Sequence, residues 1–192
     1  MGDLYALDFD GVLCDSCGES SLSALKAAKV RWPSLFETVD SSLEGWIVDQ
    51  MHIFLRSLGP VYWFYPGVPD ALKFASSKVY IVTTKQSRFA DALLRELAGV
   101  TISPDRIYGL GTGPKVQVLK QLQEMPENKG LTLHFVEDRL ATLKNVIEEP
   151  ELDGWNLYLV RWGYNTPKER EEAATIARIR LLELSDFSNK LK

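Results

Sequence analysis

The chain has 192 residues, 45% hydrophobic and 25% charged, which is enough to bury the core of one ordinary soluble domain with a small appendage. Its net charge of −4 argues against a dedicated nucleic-acid binder, whose surface is basic. Phosphorylated substrates stay open, because a bound metal supplies positive charge locally.

The first apolar run, Leu4 to Leu7, reads as a strand and ends in Asp8-Phe9-Asp10-Gly11-Val12. It starts so early that no leader peptide fits before it, and the expectation is a cytoplasmic protein. A polar segment from Asp15 leads into a helix expected over Ser21 to Arg31, which Pro33 ends. Residues 41–55 carry Leu43, Trp46, Ile47, Met51 and Phe54 at helical spacing. Residues 58–65 are aromatic and without period, and the apolar stretch Ile53 to Tyr65 is too short to cross a bilayer. Cys14 and Cys17 form a C-x-x-C pair. The only histidines, His52 and His134, are far from it, so two small residues beside the first turn is the favoured reading over zinc or redox chemistry.

From Pro66 the pattern turns regular. A helix is expected to about Ser76, then a strand over Lys78 to Val82 ending at Thr83-Thr84-Lys85. A helix over 87–98 shows Phe89, Leu93, Leu94 and Leu97 on one side. A short strand at Ile107-Tyr108 precedes the loop with Gly109, Gly111 and Gly113, and Lys115 opens a helix to Glu124 through Val116, Leu119 and Leu122. That loop is not a nucleotide-binding P-loop, since no Lys-Ser/Thr pair follows at the required spacing. Leu131 to Val136 is the next strand, ending in Glu137-Asp138, followed by a helix to about Glu148 and a strand over Leu157 to Val160. Thr166-Pro167-Lys168-Glu169 is a capping box with proline at the first helical position. A last strand is expected over Ile179 to Leu184. Alternating strands and helices imply an α/β fold, a doubly wound, mostly parallel sheet that binds ligands beyond the carboxyl ends of its strands.

In such a sheet Asp8, Asp10, Thr83, Glu137, Asp138 and Lys115 converge on one rim. Two acids spaced i, i+2 repel unless a cation or a shared proton relieves them. Acids for a hard metal, a nucleophile, a hydroxyl and an ammonium together suit phosphoryl transfer. Each piece has a plainer reading: turn acids for Asp8 and Asp10, a strand-end threonine, a solvated lysine, a helix cap for Asp138. Thr84 is an alternative to Thr83.

The order of these motifs resembles the haloacid dehalogenase-like (HAD) hydrolase superfamily of the C1-cap type, similar to plant and cyanobacterial HAD-like proteins. Asp8-x-Asp10-Gly11-Val12 resembles its first motif, the run into Thr83 its second, Lys115 its third and Val136-Glu137-Asp138 its fourth. The likeness covers residues 1–15 and about 64–164. It implies a Rossmann-like core over 1–15 and 64–192, with an abbreviated helical cap over 16–63. It further implies a Mg²⁺-dependent phosphatase acting on a small phosphorylated metabolite. Asp8 would attack phosphorus and Asp10 would act as acid and then base. Thr83 (or Thr84) and Lys115 would hold the phosphoryl group. Mg²⁺ would be ligated by Asp8, the Asp10 carbonyl and Asp138, with Glu137 beside it. A second acid four residues after the metal aspartate is replaced here by Thr142, so support for the ion is expected from Glu137. The shortened cap would leave the 58–65 aromatics exposed and prone to self-association. The alternatives are a phosphomutase, a weakly active or non-catalytic HAD-like protein, and a phospho-receiver domain.

Overall fold

The computed structural model describes residues 2–16, 25–37 and 64–191. The chain divides into two compact units, Met1–Cys14 with Phe64–Lys192, and Asp15–Trp63. In the second unit residues 25–31 are helical and Pro33–Leu35 form a 3-10 turn. The expected helix over 41–55 and the aromatics 58–63 lie outside the described residues.

The first unit is a six-stranded parallel sheet flanked by helices, the doubly wound arrangement read from the sequence. In chain order it contains β1 (Asp3–Leu7), α1 (Val68–Lys73), β2 (Lys78–Val82), α2 (Ser87–Leu93), β3 (Ile107–Tyr108) and α3 (Lys115–Glu124). It continues with β4 (Thr132–Glu137), α4 (Leu140–Ile147), β5 (Trp155–Val160), α5 (Pro167–Thr175), β6 (Ile179–Leu182) and α6 (Leu184–Lys190). The strand order is β3-β2-β1-β4-β5-β6. The chain winds outward from β1 through β2 to β3, then returns to the other side of β1 with β4. The order therefore reverses between β1 and β4, where an open α/β sheet forms its crevice.

Alternation along the strands splits the core into two layers, as the period of two requires. Tyr5, Leu7, Val79, Ile81, Val136 and Tyr158 meet α1, α2 and α6 through Ala71, Ala90, Leu94 and Phe187. Leu4, Ala6, Tyr80, Val82, Phe135, Leu157 and Leu159 meet α3, α4 and α5 through Leu119, Leu122, Leu143, Val146 and Ala173. A sheet covered on both faces must carry near-continuous apolar strands, and β1 does.

Several expectations are corrected. Over α2 and the turn that continues it, the buried positions are Ala90 and Leu94, while Phe89 and Leu97 are exposed. The helix continues as a wider π turn over Leu94–Ala98, closed by Gly99 at φ 64°, and the added residue per turn breaks the phase that the apolar count assumed. In α3 the buried set is Val118, Leu119 and Leu122, with Val116 only partly covered. The last strand stops at Leu182 and a short helix, α6, follows. That helix buries only Phe187, too little periodicity to be seen in seven residues. The expected exposure of the aromatic run fails at its described end. Tyr65 is buried and Phe64 packs edge-on to Phe9 with ring centroids 6.0 Å apart.

Candidate active site

The backbone first sets Asp8 at the crevice. Its N–H donates to Val136 O at 3.0 Å, extending the β1–β4 ladder by one residue past the strand. The chain then closes a tight turn: Leu13 N and Cys14 N both donate to Phe9 O, and Gly11 N donates to Cys14 O. Phe9, Val12 and Leu13 are fully buried, so three apolar anchors hold the turn that carries Asp10. Trp162, just beyond β5, adds a fourth tie through its indole N–H to Val12 O at 3.1 Å.

The structure brings Asp8, Glu137 and Asp138 together, each offering a carboxylate oxygen within 4.8 Å of the others. Lys115, the first residue of α3, reaches into this group. Its Nζ lies 2.8 Å from Asp8 Oδ1 and 2.7 Å from Glu137 Oε2. Glu137 is inaccessible to solvent, and its other oxygen accepts from the N–H groups of Asp138 and Arg139, both at 3.0 Å. Both Glu137 oxygens are thus engaged within the protein, which makes it the group that aims Lys115.

Asp138 is held by Glu137 through its backbone N–H and, at its carboxylate, by the loop that follows β5. The Tyr164 N–H donates to Asp138 Oδ2 at 2.8 Å. The Asn165 side-chain amide donates to Asp138 O and Val160 O, both at 2.8 Å. Two glycines let the backbone press against this carboxylate. Gly11 has φ 82°, and a Cβ there would lie 2.7 Å from Asp138 Cγ. A Cβ on Gly163 would strike Asp138 Cβ and stand 2.7 Å from Gly11 O. No other residue type fits either place without moving the acid.

The electrostatics follow from burial. Asp8 is pushed up to about 7, by loss of solvent first and then by the charge of Glu137, with Lys115 pulling the other way. Glu137 and Asp138 are also raised, in each case chiefly by burial. Burial works against the Lys115 charge, but Asp8 and Glu137 outweigh it and hold that ammonium above the ordinary lysine value. Were all three carboxylates ionised, one ammonium would leave two negative charges uncompensated. An all-oxygen donor set with that charge fits a hard divalent cation.

Thr83 directly follows β2 and is buried, whereas Thr84 is exposed on the following turn. Asp10 is not part of the carboxylate trio. Its side chain meets Lys85, with Nζ 3.3 Å from Oδ1. The contact has ion-pair distance without hydrogen-bond alignment, for this buried Oδ1 has no hydrogen-bond partner among the described residues.

Lys85, Trp162, Gly163, Tyr164 and Asn165 were given no role in the site from the sequence. Their only signal was position, immediately after the apolar runs of β2 and β5. Cys14 is buried, with Sγ 3.9 Å from Phe9 O, and Cys17 lies outside the described residues.

No protein-family profile matches the sequence, and no curated protein matches it. Solved structures do match in fold. A candidate haloacid dehalogenase-like hydrolase from Burkholderia xenovorans LB400 superposes with a TM-score of 0.55 at 18% identity, covering 98% of both chains. A candidate phosphatase from Clostridium difficile gives 0.59 at 15% identity, over 100% of this chain and 99% of that one. A HAD family hydrolase from Deinococcus radiodurans R1, with bound phosphate and sodium, gives 0.51 at 13% identity over 94% and 91%.

Proposed function

From a fold shared with the HAD-like hydrolases, we propose that this protein is a Mg²⁺-dependent phosphatase that hydrolyses a small phosphoric monoester through a phosphorylated Asp8. The observation that carries the reading is the meeting of Asp8, Lys115 and Asp138 at the crevice between β1 and β4. A nucleophile, a fixed ammonium and a second carboxylate come from three separate strands or helices and converge where such sheets take their ligands.

In this reading an Asp8 oxygen attacks phosphorus, and the bond from phosphorus to the substrate oxygen breaks. Asp10 gives its proton to that departing oxygen, releasing an alcohol and leaving the phosphoryl group on Asp8. Asp10, now a carboxylate, takes a proton from water as the water oxygen attacks the same phosphorus. Inorganic phosphate leaves and the Asp8 carboxylate returns. Lys115 holds the Asp8 oxygen in place and offsets charge, and Thr83 supplies a hydroxyl donor at the end of β2. Asp8, Asp138 and the Asp10 carbonyl would hold Mg²⁺, which supplies charge neutralisation for the phosphoryl oxygens. Glu137 acts by holding Lys115.

The unit Asp15–Trp63 is assigned as the cap that selects the substrate. No helix among the described residues is long and apolar enough to cross a membrane, and the proposal includes a cytoplasmic location.

The test is hydrolysis of p-nitrophenyl phosphate with Mg²⁺ and with a chelator. Turnover is expected only with the metal, and Asp8→Asn is expected to lose about a thousandfold or more. Activity that survives chelation, or that survives in Asp8→Asn, would overturn the proposal.

A further inference from the structure

Lys85 has a place in the site that neither the resemblance nor the reaction scheme has assigned. Its backbone is fixed on both sides: its N–H donates to Thr83 Oγ1 at 3.1 Å, and its carbonyl accepts from Leu110 N at 2.8 Å. Its side chain is only 8% exposed, and Nζ lies 6.0 Å from the centre of the Phe9 ring. A buried ammonium is costly unless an anion faces it, and the anion here is Asp10, at 3.3 Å. The turn that carries Asp10 is anchored by Phe9, Val12 and Leu13, so the backbone fixes where the carboxyl starts and Lys85 fixes where it points. The contact lacks hydrogen-bond alignment, so the carboxyl, an anion while it faces Lys85, can leave the ammonium, take up a proton from solvent and meet the substrate oxygen with that proton.

We propose that Lys85 is the positioning residue for Asp10, holding its carboxyl where it meets the oxygen that leaves phosphorus. Lys85 acts through Asp10 and does not itself transfer a proton. The same turn ties Lys85 to Thr83, whose Oγ1 accepts the Lys85 N–H. This inference rests on the phosphatase reading.

A structural ion pair and a positioning one differ in their dependence on the leaving group. The phenolate of p-nitrophenyl phosphate leaves without help, whereas the alkoxide of glycerol 2-phosphate needs a proton as the bond breaks. The measurement is kcat/KM, which covers the steps up to phosphorylated Asp8, for both substrates in wild type, Lys85→Met, Lys85→Gln, Lys85→Arg and Asp10→Asn. General acid catalysis contributes roughly a hundredfold or more. Lys85→Met and Lys85→Gln are therefore expected to lose about ten- to a hundredfold on glycerol 2-phosphate and less than about threefold on p-nitrophenyl phosphate. Lys85→Arg is expected to recover most of the loss.

Equal losses on the two substrates, or no loss, would overturn the role of Lys85 while leaving the phosphatase reading intact. A wild-type protein inactive on both, or an Asp10→Asn variant without leaving-group preference, would overturn the reading and the inference together. A readout free of catalysis uses the metal-free protein. There Asp10→Asn combined with Lys85→Met is expected to melt no lower than Lys85→Met alone. Additive lowering of the melting temperature would refute the pair.

Discussion

Replacing Glu137 by Gln removes one charge from the centre of the site while keeping shape and size. Glu137 uses Oε1 for the N–H groups of Asp138 and Arg139 and Oε2 for Lys115 at 2.7 Å. A glutamine can serve only one side. If its oxygen stays with the two amides, its NH₂ faces the Lys115 ammonium, donor against donor; if it turns over, two buried N–H groups lose their acceptor. Breaking a fully buried pair by removing one partner costs about 3–5 kcal/mol. Lys115 keeps Asp8 at 2.8 Å, which returns part of that, so the expected net loss is about 2–3 kcal/mol. The charge that helps raise Asp8 is gone as well, so Asp8 should release its proton below its starting value of about 7. The assay is urea denaturation in chelator near pH 8, followed by tryptophan fluorescence and by circular dichroism. A change below about 0.5 kcal/mol would refute the reasoning, since it would mean that Lys115 does not depend on a charged Glu137.

Three further outcomes follow from the same contacts. Gly163→Ala places a methyl against Asp138 and 2.7 Å from Gly11 O; Mg²⁺ affinity measured by calorimetry should fall about tenfold or more, with a stability cost of about 1–3 kcal/mol. Asn165→Ala leaves the carbonyls of Asp138 and Val160 without their side-chain donor and should cost about 2–3 kcal/mol in urea unfolding, with both readings failing if the midpoint does not move. The third outcome concerns pH in metal-free protein. An Asp8 raised from 3.8 to about 7 binds its proton more tightly folded than unfolded. Stability should therefore fall as pH rises from about 4 through 7 and level off above, by about 4 kcal/mol for a shift of about 3 pH units. Asp8→Asn should flatten that slope, and saturating Mg²⁺ should reduce it, both read from urea midpoints between pH 5 and 8; a slope identical in wild type and Asp8→Asn would refute the assignment.

The parts of the fold that were legible are those where local chemistry and packing agree. β2, β3 and α3 begin and end where apolar period and punctuation place them, at Lys78–Val82, Ile107–Tyr108 and Lys115–Glu124. The Thr166–Glu169 capping box forms both of its reciprocal bonds. Strand ends carrying acids, a threonine and a lysine could be read as one rim because a parallel sheet delivers them to the same edge. The partners of those groups could not be read, because each is set by how neighbouring strands are staggered. Lys85 follows β2 and finds Asp10 beyond β1, and the Tyr164 amide finds Asp138 across from β5. Glu137 and Asp138 are adjacent in sequence but keep different partners at β4's end, one gripping Lys115 and the other facing Gly11. Phe89 and Leu97 were misplaced for a related reason: spacing alone counts them, whereas the sheet selects the Ala90–Leu94 side.

The account turns on whether phosphorus is ever bonded to Asp8. Protein quenched in acid during turnover of p-nitrophenyl phosphate and reduced with borohydride converts an acyl phosphate to the alcohol. Peptide mass spectrometry should then find residue 8 as homoserine, in a fraction that vanishes with chelator. Steady release of phosphate with residue 8 unmodified, or with the mark on another side chain, would contradict the account.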